Sequence, residues 1–263
     1  MKIRIGKIPY LNSEVFFHGL AETGGIELIP LVPSKLSQAA IEGTIDAGPV
    51  PLVTCFDTED RYKSLGNFCI ATTNKARSIL LFSKLPVEEL NGAAIGITSE
   101  TSTSVRLLKV LLLQKCGIHP RSYASTGETN DAFLLIGDEA IRRRKGVKHY
   151  PHVYDLGGMW HEWTRLPFVF ARWIVRRDLP EDVVERVTRD LQQALEMGLS
   201  NVSAIAERRG KYLKMTEKEV REYIDGFRYV MDESEMEAVE RFKAFDVVAQ
   251  KIDKIYRTVQ SDE

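Results

Sequence analysis
The sequence predicts an α/β fold of two lobes joined twice. Short apolar runs alternate with helical stretches from the first residues onward, as they do in sheets covered by helices. The pattern restarts after Lys84, so residues 85–174 read as a self-contained α/β block inserted into a first one. From Pro180 the chain reads as helix in about three pieces, punctuated by Pro180, Gly210 and Thr216-Glu217. The expected division is therefore lobe I, residues 1–84 and 175–263, closed by C-terminal helices, and lobe II, residues 85–174. The crossings are expected near Phe82-Ser83-Lys84 and between Arg172 and Arg176. A two-strand hinge between lobes favours a ligand cleft.

The elements follow in order. Ile3 to Ile8 is an apolar run that reads as a strand, and Val15 to Leu20 is helix-like. Ser34 is placed to cap a helix from Lys35 to Glu42, with Gly43 stopping it. Ile45-Asp46-Ala47, Phe68 to Thr72 and Ser78 to Phe82 read as strands. In the second block, Ala93 to Ile97 is a strand. Thr101 or its neighbours cap a helix from Val105 to Lys115, ended by Gly117. Val105, Leu108, Leu111 and Leu112 give that helix its apolar stripe. Ala132 to Ile136, Val153 to Leu156 and Phe168 to Val175 are further strands, and Glu139 to Arg144 is helical.

Composition narrows the function. At 263 residues the chain can bury a substantial core. A net charge of −1 at pH 7 argues against binding nucleic acid or an anionic membrane through bulk charge. No apolar run approaches the ~20 residues of a membrane span. The alternation Met1-Lys2-Ile3-Arg4-Ile5-Gly6 lacks the core of a secretory signal, so a mature start here and a cytoplasmic location are expected. Cys55, Cys69 and Cys116 fit neither a disulfide frame nor zinc spacing. His18, His119, His149, His152 and His161 are scattered. The run Arg142-Arg143-Arg144-Lys145 has no interleaved aromatics and suits a solvated helix end. No Gly-x-Ser-x-Gly elbow or Walker-type phosphate loop is present.

Several polar residues stand at strand edges or helix starts, where open α/β sheets place ligands. Asn12 ends the first strand. Its amide can donate and accept hydrogen bonds but cannot act as a base, so it would orient a substrate, or else cap the next helix. Thr101, Thr103 and Ser104 stand at a predicted helix start. Free N–H groups there suit a small anion, although such residues also serve as ordinary caps. Ser78 and Arg77 alternate on a strand, so only one faces the cleft; Ser78 is the choice. Asp138 could exchange protons if burial raised its pKa, or could cap the helix after it. Phe168, Phe170 and Trp160 could wall a ring or fill the core.

Six segments in series resemble the chorismate dehydratase family of the futalosine route to menaquinone. They are Tyr10-Leu11-Asn12, Arg77 to Ser83, Thr101 to Val105, Ala132 to Asp138, Tyr154 to Gly157 and Leu166 to Ala171. The similarity runs to about Ala194; the C-terminal helices carry little motif. The resemblance implies a type II periplasmic-binding-protein-like fold and a cytoplasmic, cofactor-free and metal-free lyase. It would remove water from chorismate, a small dicarboxylate, to give 3-[(1-carboxyvinyl)oxy]benzoate. It points to Asn12 as the catalytic residue, with substrate contacts at Ser78, Thr101, Thr103, Ser104, Gly137, Asp138 and Phe168. The sibling family that forms dihydroxynaphthoate carries a histidine base in an Ile-His-Glu segment. Here that place reads Ile136-Gly137-Asp138, which argues against the sibling reaction. No proline follows Asn12 as it often does in the family, and Glu14 adds a negative charge nearby. No histidine lies in the matched segments and Asp138 is not a convincing base, so the substrate's own enolpyruvyl carboxylate is the expected proton acceptor.

Overall fold
The structure, a computed structural model, describes residues 2–20, 25–126 and 130–261, with 255–261 by backbone alone. Met1 of the opening alternation lies outside them. Strands β1 (Ile3–Lys7), β2 (Ile26–Pro30), β3 (Ala47–Pro51), β4 (Tyr62–Thr72) and β10 (Phe168–Arg176) build the first sheet, with β11 (Phe227–Val230) at one edge. Its order is β11-β4-β10-β3-β1-β2. β1 runs parallel to β2 and β3, while β10 is antiparallel to β3 and β4. The second sheet takes β5 (Ile79–Ser83), β6 (Ala94–Ile97), β7 (Ser122–Ser125), β8 (Ala132–Ile136) and β9 (His152–Asp155) in the order β7-β6-β8-β5-β9.

These pairings correct the expected lobe boundaries. β5 pairs with β8 and β9, so it belongs to the second lobe. β10 pairs with β3 and β4, so it belongs to the first. The crossings are therefore residues 73–78 and 156–167, earlier in the chain than expected on both sides. Every residue of β5 is buried, as is nearly all of β10, so nothing in their apolar runs marks which sheet they join.

Asp155 organises the hinge. Its carboxylate accepts from the Ala76 and Arg77 N–H groups at 2.9 and 2.6 Å. It also caps α6 (Leu156–Thr164) by accepting from Gly158 N–H at 3.0 Å. Arg77 is thereby held at φ 58°, the left-handed region. A side chain at Gly157 would lie 2.8 Å from the Asn74 carbonyl oxygen, so only glycine lets the two crossings touch.

Short helices α1 (Glu14–Phe17), α2 (Pro33–Glu42) and α3 (Leu52–Asp57) serve the first sheet, and α4 (Thr103–Val110) and α5 (Gly137–Arg143) the second. α4 continues as a π turn to Lys115. The C-terminal region is not three helices. It comprises α7 (Glu181–Ser200), α8 (Val202–Leu213), α9 (Glu217–Ile224), strand β11 and α10 (Glu233–Ser261). β11 hydrogen-bonds to the edge of β4, which turns a helical tail into part of the first sheet. Among the described residues no helix is long and apolar enough to cross a membrane.

Candidate functional site
A narrow cleft with a cavity volume of about 50 Å³ lies between the sheets. Lobe I contributes Ile8, Tyr10, Asn12, Pro33, Pro51, Ile70, Phe170 and Ala171, the first crossing contributes Ser78, and lobe II contributes Ile79, Ser102, Thr103, Ser104, Ile136 and Gly137. Ile8, Pro51 and Gly137 sit at or just past the carboxyl ends of β1, β3 and β8, the edge where α/β sheets present ligands. The wall is apolar apart from hydroxyls and one amide. Among the described residues no acid, histidine, lysine or arginine lines it.

Asn12 is 9% exposed, and its Oδ1 is buried without a hydrogen-bond partner. It does not cap a helix: Ser13 holds the N-cap position of α1 and makes no side-chain cap bond. The backbone around Asn12 is fixed from several sides. Ser13 Oγ donates to the Tyr10 carbonyl at 2.9 Å, and Asp138 accepts from Leu11 N–H at 3.0 Å.

Across the cleft, α4 begins without a side-chain cap, so the capping alternative is not realised. Its first-turn N–H groups lack that partner. Thr103 Oγ1 accepts from Val53 N–H at 3.4 Å, and Ser102 Oγ accepts from Ser37 at 3.2 Å. Ser78 is wholly buried from solvent; its Oγ donates to the Ala76 carbonyl at 3.2 Å and accepts from Tyr223 at 2.7 Å.

The expected site residues thus divide. Asn12, Ser78, Thr103, Ser104 and Gly137 share the cleft. Thr101 stands two residues before α4 and off the wall, its hydroxyl buried without a partner. Asp138 also lies off the wall and caps nothing. It faces Arg209 on α8, with which it is hydrogen-bonded, and Leu11. Burial pushes its carboxyl upward against the opposing pull of the Leu11 N–H and Arg209. Phe168, 1% exposed, packs between Trp160 and Phe242 at 5.3 and 5.0 Å, so it fills the core. Phe170, two residues further along the strand and 4.7 Å from the Phe168 ring, lines the cleft instead. Trp160 is likewise core, its indole N–H donating to the Pro167 carbonyl at 2.8 Å.

Glu100, Arg209 and Tyr223 lie outside the expected site residues, and Tyr10 enters the expectation only as part of a matched segment, with no role. Tyr10 lies on Gly137, where a Cβ would meet its ring at 2.6 Å and where φ is +59°. The Tyr10 hydroxyl is hydrogen-bonded to Glu100 of lobe II. Burial and that carboxylate hold the phenol well above its ordinary range. Arg209 also donates to Glu14 at 2.8 Å and to the Pro9 carbonyl at 3.1 Å. Lys7 reaches the other Glu14 oxygen at 3.4 Å. The charge of Glu14 is thus paired behind the cleft and does not face an anion within it. Arg209 and Tyr223 fall in the tail that carries little motif, so no local signal could have singled them out.

A family model described as menaquinone biosynthesis matches residues 3–246. The chain is 29% identical over 257 residues to a chorismate dehydratase of Thermus thermophilus, covering 90% of this chain and 93% of that one. It is 22% identical over 261 residues to a 1,4-dihydroxy-6-naphtoate synthase of the same organism, covering 92% and 93%. Among solved structures it resembles an alkanesulfonate-binding protein of Xanthomonas axonopodis, with TM-score 0.69, 16% identity and coverage of 95% and 93%. It also resembles a Candida albicans protein described as having the generic periplasmic binding protein fold, with TM-score 0.63, 11% identity and coverage of 95% and 90%. The fold is the two-lobe, periplasmic-binding-protein-like α/β architecture.

Proposed function
The chain belongs to the menaquinone biosynthesis family, and from that premise we propose that it is a hydro-lyase that converts chorismate to 3-[(1-carboxyvinyl)oxy]benzoate and water. One observation carries the reading: Asn12, whose buried Oδ1 has no partner, shares an apolar cleft with the hydroxyl residues Ser78, Thr103 and Ser104. A buried acceptor without a donor costs about 1–3 kcal/mol, which a ligand hydroxyl would offset. Chorismate has one hydroxyl and two carboxylates on a compact ring. Its hydroxyl suits Asn12. A carboxylate suits Ser78, Thr103, Ser104 and the N-terminal end of α4, where donors and dipole favour an anion. Apolar Ile8, Ile70, Ile79 and Phe170 exclude water and strengthen those bonds.

The elimination needs no redox partner. The C–H electron pair becomes the new ring double bond, the C–O pair leaves with the hydroxyl, and the abstracted proton completes the water. No carboxylate or histidine of the described chain lines the cleft, and Asp138 is turned to Arg209. The substrate's enolpyruvyl carboxylate therefore serves as proton acceptor in this reading, and Asn12 steadies the departing hydroxyl.

The naphthoate-forming reaction of the 22% relative is the second reading. Against it stands Gly137, at the place of that family's histidine. A side chain there would run into the Tyr10 ring. Incubating the purified protein with chorismate, with product followed by ultraviolet absorbance and mass spectrometry, separates the readings. A new enol-ether benzoate supports dehydration. Chorismate bound but unchanged indicates a binding protein, and no effect on chorismate removes the proposal.

A further inference from the structure
The C-terminal helices lie outside the matched motifs, yet α9 reaches the cleft. Its start is fixed by a capping box, in which Thr216 Oγ1 accepts from Glu219 N–H at 3.2 Å and Glu219 accepts from Thr216 N–H at 2.8 Å. Its last turn is held by the hinge: Arg77 Nη1 donates to the Glu222 carbonyl at 3.2 Å. The next residue, Tyr223, is 2% exposed and packs on Phe227 with ring centroids 5.0 Å apart. Its hydroxyl donates to Ser78 Oγ at 2.7 Å.

That bond constrains what Ser78 can do. A serine hydroxyl has one proton and two lone pairs. Tyr223 occupies a lone pair, so the Ser78 proton must point elsewhere. It now reaches the Ala76 carbonyl at 3.2 Å, longer than the usual O–H···O bond of about 2.7–2.8 Å. A carboxylate in the cleft would be the better acceptor, since charge-assisted bonds are shorter and stronger. Burial raises the Tyr223 phenol above its ordinary range, so it remains a neutral donor and does not relay protons.

We propose that Tyr223 is a positioning residue, whose hydroxyl sets Ser78 as a donor aimed at an anionic group of the substrate. The inference rests on the reading of the cleft given under Proposed function. It gives the motif-poor tail a part in the site and explains why Arg77, next to Ser78 in the first crossing, grips α9.

A double-mutant cycle tests it with wild type, Tyr223→Phe, Ser78→Ala and the double variant. Tyr223→Phe keeps the ring and its packing. It is expected to lower kcat/KM on chorismate about tenfold, the size of one hydrogen bond to a charged complex. The melting midpoint should move by a few degrees at most. In the Ser78→Ala background the same change should matter less than about twofold, a coupling that a merely structural tyrosine would not show. Tyr223→Phe at wild-type kcat/KM, or effects that multiply in the double variant, would overturn the inference while leaving the dehydratase reading intact. If the wild type leaves chorismate unchanged, the dehydratase reading fails. The same cycle, read as Kd for benzoate, then decides the inference, and a wild type that binds no benzoate overturns it.

Discussion
In the proposed reading, Asn12 concentrates the chemistry in one amide. Replacing it by aspartate keeps size and shape but sets a negative charge beside an anion, in a wall with no compensating cation. Asn12→Asp is expected to lower kcat about 100-fold or more, in line with the loss of a preorganised donor in other active sites, with the thermal midpoint nearly unchanged. Steady-state kinetics beside a melting curve checks it, and near-normal turnover would refute the assigned role. Arg209 is the opposite kind of residue, important without touching the cleft. It pairs Asp138 and Glu14, whose side chains are 10% and 7% exposed. Arg209→Met would leave both carboxylates buried beside a single lysine, at a cost of about 3 kcal/mol at neutral pH. The pH dependence has a definite sign. Asp138 already sits above its ordinary value through burial, so its folded form holds a proton more tightly than its unfolded form, and stability from this group falls as pH rises through that interval. Losing the arginine deepens that fall. Urea unfolding should therefore show a larger deficit against wild type at pH 7 than at pH 4. Asn12 was legible because an amide ended an apolar run. Arg209 was not, because its partners lie in distant segments and nothing local announces a pairing across the fold.

At the scale of elements, the central strands could be read from the sequence, and of the four edge strands only β9 could. β8 is a continuous apolar run, and β10 is one but for Arg172 and its final residue, because both of their faces are covered; β1 alternates, with Ile3, Ile5 and Gly6 buried. β2 and β7 lie at sheet edges, with intermediate or exposed residues throughout, so they carry no such run and went unread. β11 alternates buried and exposed residues between two helices, a four-residue signal too short to outweigh its surroundings. α6 follows Asp155 directly, and its start reads as a strand end in the sequence because Asp155 both ends β9 and caps α6. Helix α7 shows how an element far from the motifs still sets the site. Gly198 faces α1, and a Cβ there would lie 2.1 Å from the Val15 carbonyl oxygen and 2.6 Å from its Cα. Gly198→Ala gains about 1 kcal/mol of helix propensity, but the overlap is with backbone, which cannot rotate away. Overpacking of about 1–3 kcal/mol should win. Because α1 follows Asn12 directly, the displacement should also lower kcat/KM. Calorimetry and kinetics on the same sample would show both losses together, and an alanine variant that is more stable and equally active would mean the helices are not in this contact.

The whole molecule has its lobes shut on the cleft. Ser34 N–H donates to the Glu100 carbonyl at 3.0 Å, Ser37 Oγ to Ser102 Oγ at 3.2 Å, and Leu11 N–H to Asp138 at 3.0 Å. Tyr10 adds its bond to Glu100. Under the proposed reading a ring-sized substrate cannot pass such contacts, so the two crossings at residues 73–78 and 156–167 are expected to let the lobes part before each turnover. The sequence showed that two crossings exist. Where they lie depended on strand pairing, which is non-local. A covalent lock tests the motion directly. Ser37 and Ser102 belong to different lobes, and their Oγ atoms are close enough that cysteines there could reach the ~2.05 Å of a disulfide with small rotamer changes. The native thiols compete poorly. Burial pushes Cys55 up to about 12 and raises Cys69 and Cys116 as well, and a thiol that stays protonated reacts slowly. The Ser37→Cys, Ser102→Cys double variant is expected to lose nearly all activity when oxidised without ligand and to recover it with a reductant. Thiol titration would confirm that the new pair alone has closed. Full activity in the oxidised form would mean that substrate reaches Asn12 without the lobes separating, and the hinge would then have no part in turnover.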